Sequence, residues 1–411
     1  MVSEKMYDKL ALLAIKKGVN LQKGQPLVIR ANLRDKDFIK KIVKIAYENG
    51  AKSVSIDWRD EDLSRWNYEY KSIETLSEVP DWMHDKTKWE QDSKACYLSV
   101  ASDMPGALKD VDSDKLNAYQ QAYYVKMADL MAYTMNNEGQ WCILGVPSVE
   151  WARVVFPDLS DEEAFEKLGD AIFAVTRVSE DNDPIAEWEA HDKELMEHAR
   201  KLNEYNFKEL HFTSASGTDL TVGLVKDHIW AGGCGKTPEG IYFDPNMPTE
   251  EVFCMPFTAG TNGKVVASKP LSYNGKVIED FWFRFENGKV VDFDARKEKE
   301  ALKQLLEFDE GSAYLGEVAL VPYDSPVSRS GILFFDTLYD ENAACHLALG
   351  RPYPENIKGG EQMSKEELLA HGANDSLQHE DFMFGTADMD IDGIKEDGSV
   401  IPIFRKGNFV F

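Results

Sequence analysis

The first half of the chain alternates helical and extended patterns of apolar residues. A helical pattern begins near Ser3 and ends at Gly18, and the apolar stretch GQPLVIRAN (24–32) that follows predicts a strand. A second helical pattern, DKDFIKKIVKIAYENG (35–50), ends in Asn-Gly, and AKSVSIDW (51–58) predicts the next strand. Strands that alternate with helices in this way favour a parallel sheet.

Two later stretches extend this sheet. CYLSVAS (96–102) and WCILGVPS (141–148) predict buried strands, and a long helical pattern over 114–139 separates them. Two further helical patterns, over 162–178 and 184–207, carry the chain to about residue 208. We therefore predict an α/β N-terminal domain with a parallel sheet over residues 1–208.

The second half changes to short alternating strands with turn signals between them. Asn-Gly pairs occur at 262–263, 274–275 and 287–288, near alternating segments such as VIEDFWFRF (277–285) and VVDFDA (290–295). Because Asn-Gly suits the positive φ angles of type I′ turns, each pair predicts a hairpin. Residues 209–411 are thus expected to form a β-rich α+β domain. Because the candidate site residues described below lie in this domain, we expect it to be the metal-binding catalytic domain.

Charge and composition exclude several classes of function. The chain has 411 residues and a net charge of −26, with 72 acidic residues against 46 basic ones that form no cluster, so a nucleic acid would be repelled. No apolar run approaches the ~18 residues that would cross a membrane. The N-terminus lacks the pattern of a signal peptide, and the five cysteines include no C-x-x-C pair. These features predict a cytoplasmic protein with reduced thiols.

Four familiar functional motifs are incomplete or absent. GGCGKT (232–237) lacks the first glycine of a phosphate-binding loop, because Trp230 occupies that position. DMDIDG (388–393) begins like a calcium-binding loop, but its twelfth position is Ser399 rather than glutamate, so an acidic hairpin is the better interpretation. The chain also contains no G-x-S-x-G or H-E-x-x-H motif.

Four segments of the second half carry nitrogen and oxygen donors that could bind a metal ion. They are NMPTEEVF (246–253), LGEVALVP (315–322), DENAACHLALGRPY (340–353) and QHEDFMFG (378–385). In an extended strand His379 and Asp381 share one face, so the pair could hold a cation. Glu317 interrupts an apolar strand, where a charge is costly unless it is paired or coordinated.

Each segment also has an ordinary structural interpretation. Glu250 and Glu251 could form the exposed first turn of a helix after Pro248, and Glu317 could lie at a strand edge. His346 could be a packed helix residue, and His379 a solvated residue at a strand start. The residues alone leave these alternatives open.

The four segments together resemble the motifs of the M29 family of metallo-aminopeptidases, the aminopeptidase T and aminopeptidase S group. The resemblance covers essentially the whole chain, and its specificity lies in N-M-P-T-E-E-V-F, G-E-V-A-L-V, D-E-N-A-x-x-H-L-A-L-G-x-x-Y and H-x-D-F-M-x-G. It implies that the metal ligands are Glu251, Glu317, His346, His379 and Asp381. Overall motif spacing favours Glu251 over Glu250 as the ligand.

The resemblance also implies Tyr353 beside the metal ions. Its phenol could donate a hydrogen bond to the oxyanion of the reacting carbonyl, although packing after Pro352 is an alternative role. Glu341 could touch a metal ion, and Glu250 or Glu341 could move a proton from water to the leaving amine.

This donor set suits hydrolytic chemistry. Carboxylates and imidazoles without a thiolate suit zinc, cobalt or manganese, and five or six donors exceed the needs of one tetrahedral ion. Two bridged divalent ions could lower the pKa of a shared water and polarise the scissile carbonyl. We therefore expect an aminopeptidase that acts on short peptides with a free N-terminus.

Two rival functions remain at this point. The protein could be another dinuclear hydrolase, such as a dipeptidase or an amidase, or a non-catalytic metal-binding protein. The family resemblance further implies a homodimer whose N-terminal domain helps to cover the active site. We expect no nucleic-acid or membrane partner.

Overall fold

The computed structural model describes residues 2–411 and contains two compact units. The first comprises residues 1–191 with 234–248, and the second comprises 192–233 with 249–411. These units do not follow a single division at residue 208, because the segment 234–248 returns to the first unit. The functional division into 1–208 and 209–411 stays a prediction.

The first unit contains the parallel sheet that the sequence predicts. Its four long strands are Pro26–Asn32, Ser53–Arg59, Cys96–Ala101 and Trp141–Gly145, and the short strand Asn246–Met247 is added at one edge. All neighbouring strands run parallel. Pro26–Asn32 lies between the second and third strands of the chain, so the winding of the sheet reverses direction at this strand. A separate two-stranded sheet joins Gly235–Lys236 to Tyr242–Phe243.

Helices surround this sheet at the positions that apolar periodicity predicts. The α-helices of the first unit are Glu4–Leu13, Lys36–Glu48, Glu61–Tyr70, Ile73–Ser77, Asp81–Asp92, Ser113–Met127, Ala132–Met135, Val149–Val155 and Asp161–Val175. A π-turn over Ala14–Gly18 and 3₁₀ turns over Leu33–Asp35 and Ala128–Leu130 extend three of them. Ser160 begins the last of these helices through a capping box with Glu163, which satisfies backbone groups that the first turn would leave unpaired. The helix Pro184–Tyr205 contains the division between the units.

The second unit contains two antiparallel sheets. The smaller sheet orders its strands as His379–Met383, His346–Gly350, Leu315–Leu320, Val252–Cys254 and Ala231–Gly232. The larger sheet consists of Leu271–Tyr273, Lys276–Glu286, Lys289–Lys297, Pro256–Val266, Asp219–Leu224, Glu209–Thr213, Asp390–Ile394, Val400–Arg405 and Asn408–Phe409. Apolar side chains of both sheets form a continuous core that includes Phe212 and Phe283 from the larger sheet and Phe382 from the smaller one.

Short helices connect these strands. The α-helices are Lys299–Leu306, Pro326–Ser330, Thr337–Asp340 and Lys365–Ala370, and 3₁₀ turns occupy Glu341–Ala343, Pro354–Asn356 and Gly360–Gln362. The expected fold class, a parallel α/β part followed by a β-rich α+β part, is confirmed.

One of the three predicted Asn-Gly hairpin turns is wrong. Asn274-Gly275 and Asn287-Gly288 do connect neighbouring strands, and all four residues have positive φ. Asn262-Gly263 instead lies inside the strand Pro256–Val266. Asn262 accepts a hydrogen bond from the Asn287 amide at 2.8 Å, and a Cβ on Gly263 would come within 2.3 Å of the Asp219 carbonyl. Asn262 and Gly263 therefore allow close contact between neighbouring segments of the sheet and do not form a turn.

Membrane insertion finds no support in the described helices. Across residues 2–411, no helix combines the length and the apolar character that a bilayer crossing requires. This agrees with the distribution of charge along the sequence.

Candidate metal centre

Three neighbouring antiparallel strands bring the predicted ligands onto one face. In the register of the sheet, Ala348 pairs with Glu317 on one side and with Asp381 on the other. His346 lies two residues before Ala348 and His379 two residues before Asp381, so alternation places all of them on this face. The small side chain of Ala348 leaves space between the carboxylates and the imidazoles.

The side chains form two overlapping groups that share Glu317. Glu251, Glu317 and His346 can each offer a ligand atom within 4.8 Å of the others, and so can Glu317, His379 and Asp381. Oε1 of Glu317 lies 3.6 Å from Nε2 of His346, and Oε2 lies 3.6 Å from Nε2 of His379. Glu317 thus presents one oxygen to each group.

Closer contacts complete each group. Nε2 of His346 lies 2.9 Å from Oε2 of Glu251, and Nε2 of His379 lies 3.5 Å from Oδ1 of Asp381. Oδ1 of Asp381 is buried and accepts no hydrogen bond from the residues 2–411. A buried carboxylate oxygen in this state needs a positively charged partner, and a metal ion would satisfy it.

Backbone carbonyls fix the orientation of both imidazoles. Nδ1 of His346 donates to the carbonyls of Glu341 at 3.0 Å and Ala344 at 3.2 Å. Nδ1 of His379 donates to the Arg351 carbonyl at 2.6 Å. Because Nδ1 carries the proton in each ring, Nε2 is the atom that can bind a metal ion, as is usual for histidine ligands.

Electrostatics show an excess of negative charge at this face. Burial raises the pKa of Glu317 to about 6, and Glu251 and Asp381 add to the rise. Burial opposes the charge of both histidines, yet the neighbouring carboxylates raise the pKa of His379 to about 10 and that of His346 well above its ordinary value. The carboxylates therefore require positive charge nearby, which protonated imidazoles or bound cations could provide.

Glu341 and Tyr353 lie next to this cluster. Burial raises the pKa of the Glu341 carboxyl well above its ordinary value, and the charges of Asp381 and Glu251 raise it further. The ring of Tyr353 packs edge-on against His379, with 5.0 Å between ring centroids, and also against Phe253, at 5.8 Å. Burial and the nearby carboxylates raise the Tyr353 pKa well above its ordinary value, so the phenol keeps its proton at neutral pH.

Glu250 and Glu251 do not form the exposed helical turn that the sequence left open. Both are buried, at 4% and 8% exposure, in an irregular segment before the strand Val252–Cys254. Glu251 approaches His346, whereas the structure ties Glu250 through its backbone amide to Oδ1 of Asn342 at 2.7 Å. The helical alternative for His346 is also wrong, because His346 begins a strand.

Sequence reasoning missed several positioning groups. Asn342 is fully buried and donates through Nδ2 to the Leu338 carbonyl at 2.8 Å, while its Oδ1 holds Glu250. Its place inside the D-E-N-A segment was a signal for this role. The carbonyls that orient His346 and His379 leave no trace in residue type, because any residue could supply them.

Comparisons with known proteins show the family to which the chain belongs. The model of the family described as "Thermophilic metalloprotease (M29)" matches residues 3–409. Aminopeptidase AmpS of Bacillus subtilis (strain 168) is 47% identical over 401 residues, covering 98% of this chain and 97% of that protein. Aminopeptidase 2 of Geobacillus stearothermophilus is 46% identical over 408 residues, covering 99% and 98%.

A solved structure extends the agreement to the fold. Wild-type AmpT from Thermus thermophilus superposes with a TM-score of 0.92 at 39% identity, covering 99% of this chain and 100% of that one. Fold, sequence and donor set point to the same chemistry, and the chain is a metallo-aminopeptidase that belongs to the M29 family.

Proposed function

We propose that the protein removes N-terminal residues one at a time from short peptides and holds two divalent ions to do so. The ligands in this proposal are Glu251, Glu317, His346, His379 and Asp381. The observation that carries it is the position of Glu317, whose two oxygens lie 3.6 Å from Nε2 of two different histidines. A carboxylate shared between two donor groups is suited to bridging two ions.

The donor set fits such ions. It offers oxygen and imidazole nitrogen without a thiolate, which suits zinc, cobalt or manganese. The buried Asp381 oxygen without a hydrogen-bond donor is consistent with a cation at this point. Two divalent ions, when bound, would lower the pKa of a water molecule and polarise a carbonyl group.

Tyr353 is the proposed oxyanion donor. Its phenol is protonated at neutral pH because burial and the surrounding carboxylates disfavour the phenolate. Contacts with the Phe253 and His379 rings restrict the orientation of the Tyr353 ring and so favour a fixed direction of its hydroxyl. A pre-oriented donor stabilises the developing charge on the carbonyl oxygen without reorganisation.

Glu341 and Glu250 are the proposed proton carriers. Glu341 is buried beside Asp381 and Glu251, and Nδ2 of Asn342 lies 3.4 Å from its Oε1. A carboxyl in this position can take a proton from water and pass it to the leaving amine. The backbone amide of Glu250 donates to Oδ1 of Asn342, and the Glu250 carboxylate could instead receive the α-ammonium group of the substrate.

Substrates with free and blocked N-termini test this function directly. We expect a free peptide to be shortened from its N-terminus and its N-acetylated form to react at least about a hundredfold more slowly, since losing a charge-assisted contact costs on the order of 3 kcal/mol. Mass spectrometry of the products at successive times gives their order. Equal turnover of both peptides, or internal fragments appearing first, would support another dinuclear hydrolase such as an amidase. Cleavage of dipeptides alone would support a dipeptidase.

We also propose that the protein is a homodimer. The helices Glu61–Tyr70 and Asp81–Asp92 carry aromatic side chains with much exposed area, including Trp66, Tyr70, Trp82 and Trp89. Aromatic residues are enriched in the surfaces that subunits bury against each other. Light scattering on the purified protein should give twice the mass of one chain, and a mass of one chain at micromolar concentration would contradict the proposal.

A cytoplasmic location is proposed on the state of the thiols. None of the five cysteines forms a disulfide bond, and four of them are buried. Unbridged cysteines are usual where thiols are kept reduced. Cell fractionation with an antibody against the protein tests the location.

A further inference from the structure

A cavity of about 440 Å³ lies in the first unit and shares no residue with the metal centre. It opens beyond the carboxyl ends of the parallel strands, next to residues that follow the strands Pro26–Asn32 and Trp141–Gly145. The winding of the sheet reverses at Pro26–Asn32. In parallel α/β sheets this position forms a crevice in which small ligands commonly bind.

The wall of the cavity divides into an apolar side and a charged side. The apolar side chains are those of Tyr7, Phe38, Val146, Pro147, Val149 and Phe165. Carboxylates, the Ser148 side chain and two cations, Arg34 and Lys41, form the remainder. A ligand that matches this wall has an apolar body and at least one charged end.

Most charges of the wall already have partners. Arg34 pairs with Glu61 at 2.5 Å and Glu150 at 2.8 Å, and Lys41 pairs with Glu4 at 2.8 Å. Asp37 pairs with Lys40 at 2.8 Å.

Asp35 differs from these residues. It is buried, with 8% exposure, and accepts a hydrogen bond from the Ser102 hydroxyl at 2.5 Å. Within residues 2–411 it forms no direct ion pair, although it lines the cavity. A buried carboxylate is costly without a cation, so an ammonium group entering the cavity would find its counter-ion at Asp35.

Arg34 offers a partner for a negatively charged group on the same ligand. Arg34 uses three of its N–H groups, on Asn32, Glu61 and Glu150, so further N–H groups of its guanidinium can meet a carboxylate. Arg34 and Asp35 are adjacent in the chain and both line the cavity. The two charged groups of an α-amino acid would therefore find opposite charges in the same cavity.

We propose that this cavity binds a free α-amino acid with an apolar side chain. Its ammonium group would pair with Asp35, its carboxylate with Arg34, and its side chain would contact Phe38, Val149 and Phe165. The choice of ligand rests in part on the proposed function, since an aminopeptidase releases free amino acids. The cavity is thus a second ligand site, formed by other residues than the metal centre, and it would bind the released amino acid.

Calorimetric titration of the metal-loaded protein with L-leucine tests the site. We expect saturable binding that Asp35→Asn weakens roughly tenfold or more, because a charge-assisted contact is lost. Asp37→Asn changes an exposed carboxylate of the same wall that already has Lys40 as its partner, so this control should bind leucine as the wild type does. Val149→Trp, which keeps every charge but fills the apolar side, should also abolish binding.

Ligand analogues and a second variant separate the possible outcomes. Isopentylamine, which lacks the carboxylate, and 4-methylpentanoate, which lacks the ammonium group, should each bind much more weakly than leucine. Binding that survives Asp35→Asn and Val149→Trp but disappears in Glu317→Gln would place leucine only at the metal centre and overturn the proposal. Absence of detectable binding at leucine concentrations up to about 20 mM would overturn the proposal as well. Leucine binding that depends on Asp35 in a protein without aminopeptidase activity would refute the proposed function alone.

Discussion

At the scale of single residues, Glu317 has the most demanding position in the protein. It is 4% exposed in a strand whose six residues are all buried, and four ionisable groups, His346, His379, Glu251 and Asp381, lie around it. An isolated carboxylate there would be strongly destabilising, so its surroundings must supply positive charge. Its two oxygens face different histidines, which makes it the one side chain on which both groups depend.

Single substitutions should therefore differ in how much metal they remove. We expect Glu317→Gln to lose both ions, whereas His346→Ala and His379→Ala each lose mainly the ion of their own group. Elemental analysis after gel filtration gives the number of ions per chain. Glu380→Gln is the matched control, because Glu380 adjoins both His379 and Asp381 in sequence but points to the other face of the strand. Two ions retained in Glu317→Gln would contradict the bridging role.

Tyr353→Phe tests the oxyanion role. The ring contacts with His379 and Phe253 remain in this variant and only the hydroxyl is lost. We expect kcat to fall by roughly 10²–10³-fold with KM and metal content near those of the wild type, the usual scale for removing one oxyanion donor. A raised KM with unchanged kcat would make Tyr353 a substrate-binding residue instead.

Asp35 gives a prediction about pH and stability. Burial raises its pKa from its ordinary 3.8 to about 6, while the Ser102 hydrogen bond and Arg34 lower it in part. The folded state therefore binds the proton more tightly than the unfolded state does. This contribution to stability is fully present below pH 3.8 and is lost as pH rises through about 6.

Asp35→Asn should accordingly stabilise the protein at pH 7.5 and have little effect near pH 4. The expected gain at pH 7.5 is on the order of 2 kcal/mol, after allowing for the part of the carboxyl that solvent reaches. Urea unfolding of the wild type and the variant at both pH values measures the difference. Asp37→Asn serves as an exposed control, and an Asp35→Asn effect that is equal at both pH values would contradict the raised pKa.

At the scale of helices and strands, the sequence predicts where these elements lie along the chain better than it predicts the contacts between them. Short apolar stretches correctly place the strands that carry Glu317 and His379, because a run of apolar residues of this length is typical of a buried strand. The Asn262-Gly263 pair fails because a glycine that permits close contact between strands has the same local signature as a turn. The carbonyls that orient His346 come from Glu341 and Ala344, close before it in the chain, and the one that orients His379 comes from the distant Arg351. Because every residue has a carbonyl, no pattern of residue types reveals these contacts.

Gly350 illustrates how backbone conformation supports the metal centre. It ends the strand His346–Gly350, pairs with His379 across the sheet and has a φ of +107°. A Cβ at this position would lie 2.2 Å from the Gln378 carbonyl, immediately before His379. Only glycine combines this φ with such close contact.

Gly350→Ala should therefore displace His379 as well as destabilise the fold. We expect a loss of about 2–4 kcal/mol from strain and overlap, together with reduced metal content. Gly359→Ala is the matched control, because Gly359 also has positive φ, +78°, but a methyl group added there would meet no atom within 4 Å. Unfolding midpoints and elemental analysis of both variants separate the effect of backbone strain from that of overlap with the Gln378 carbonyl. Equal losses of stability and metal content in the two variants would contradict a special role for Gly350.

At the scale of the whole molecule, negative charge dominates. The net charge is −26, and the metal centre adds clustered carboxylates that are buried rather than spread over the surface. Surface carboxylates are screened by water and salt, whereas Glu251, Glu317 and Asp381 share a small buried volume. Bound ions should for this reason stabilise the native chain in addition to serving catalysis.

Removing the ions should lower the stability of the folded protein. A chelator leaves the three carboxylates to repel each other, and protonation of His346 and His379 compensates only in part because burial opposes their charge. Ions that bind the native state alone stabilise it by about 2.7 kcal/mol at a hundredfold excess over Kd, so adding Zn²⁺, Co²⁺ or Mn²⁺ should raise the unfolding temperature again. Differential scanning fluorimetry with and without chelator measures the change. Glu317→Gln is the control, since a protein without the shared ligand should respond to neither chelator nor metal. An unfolding temperature of the wild type that is unaffected by chelation would show that the carboxylates of this face do not hold ions in the native state.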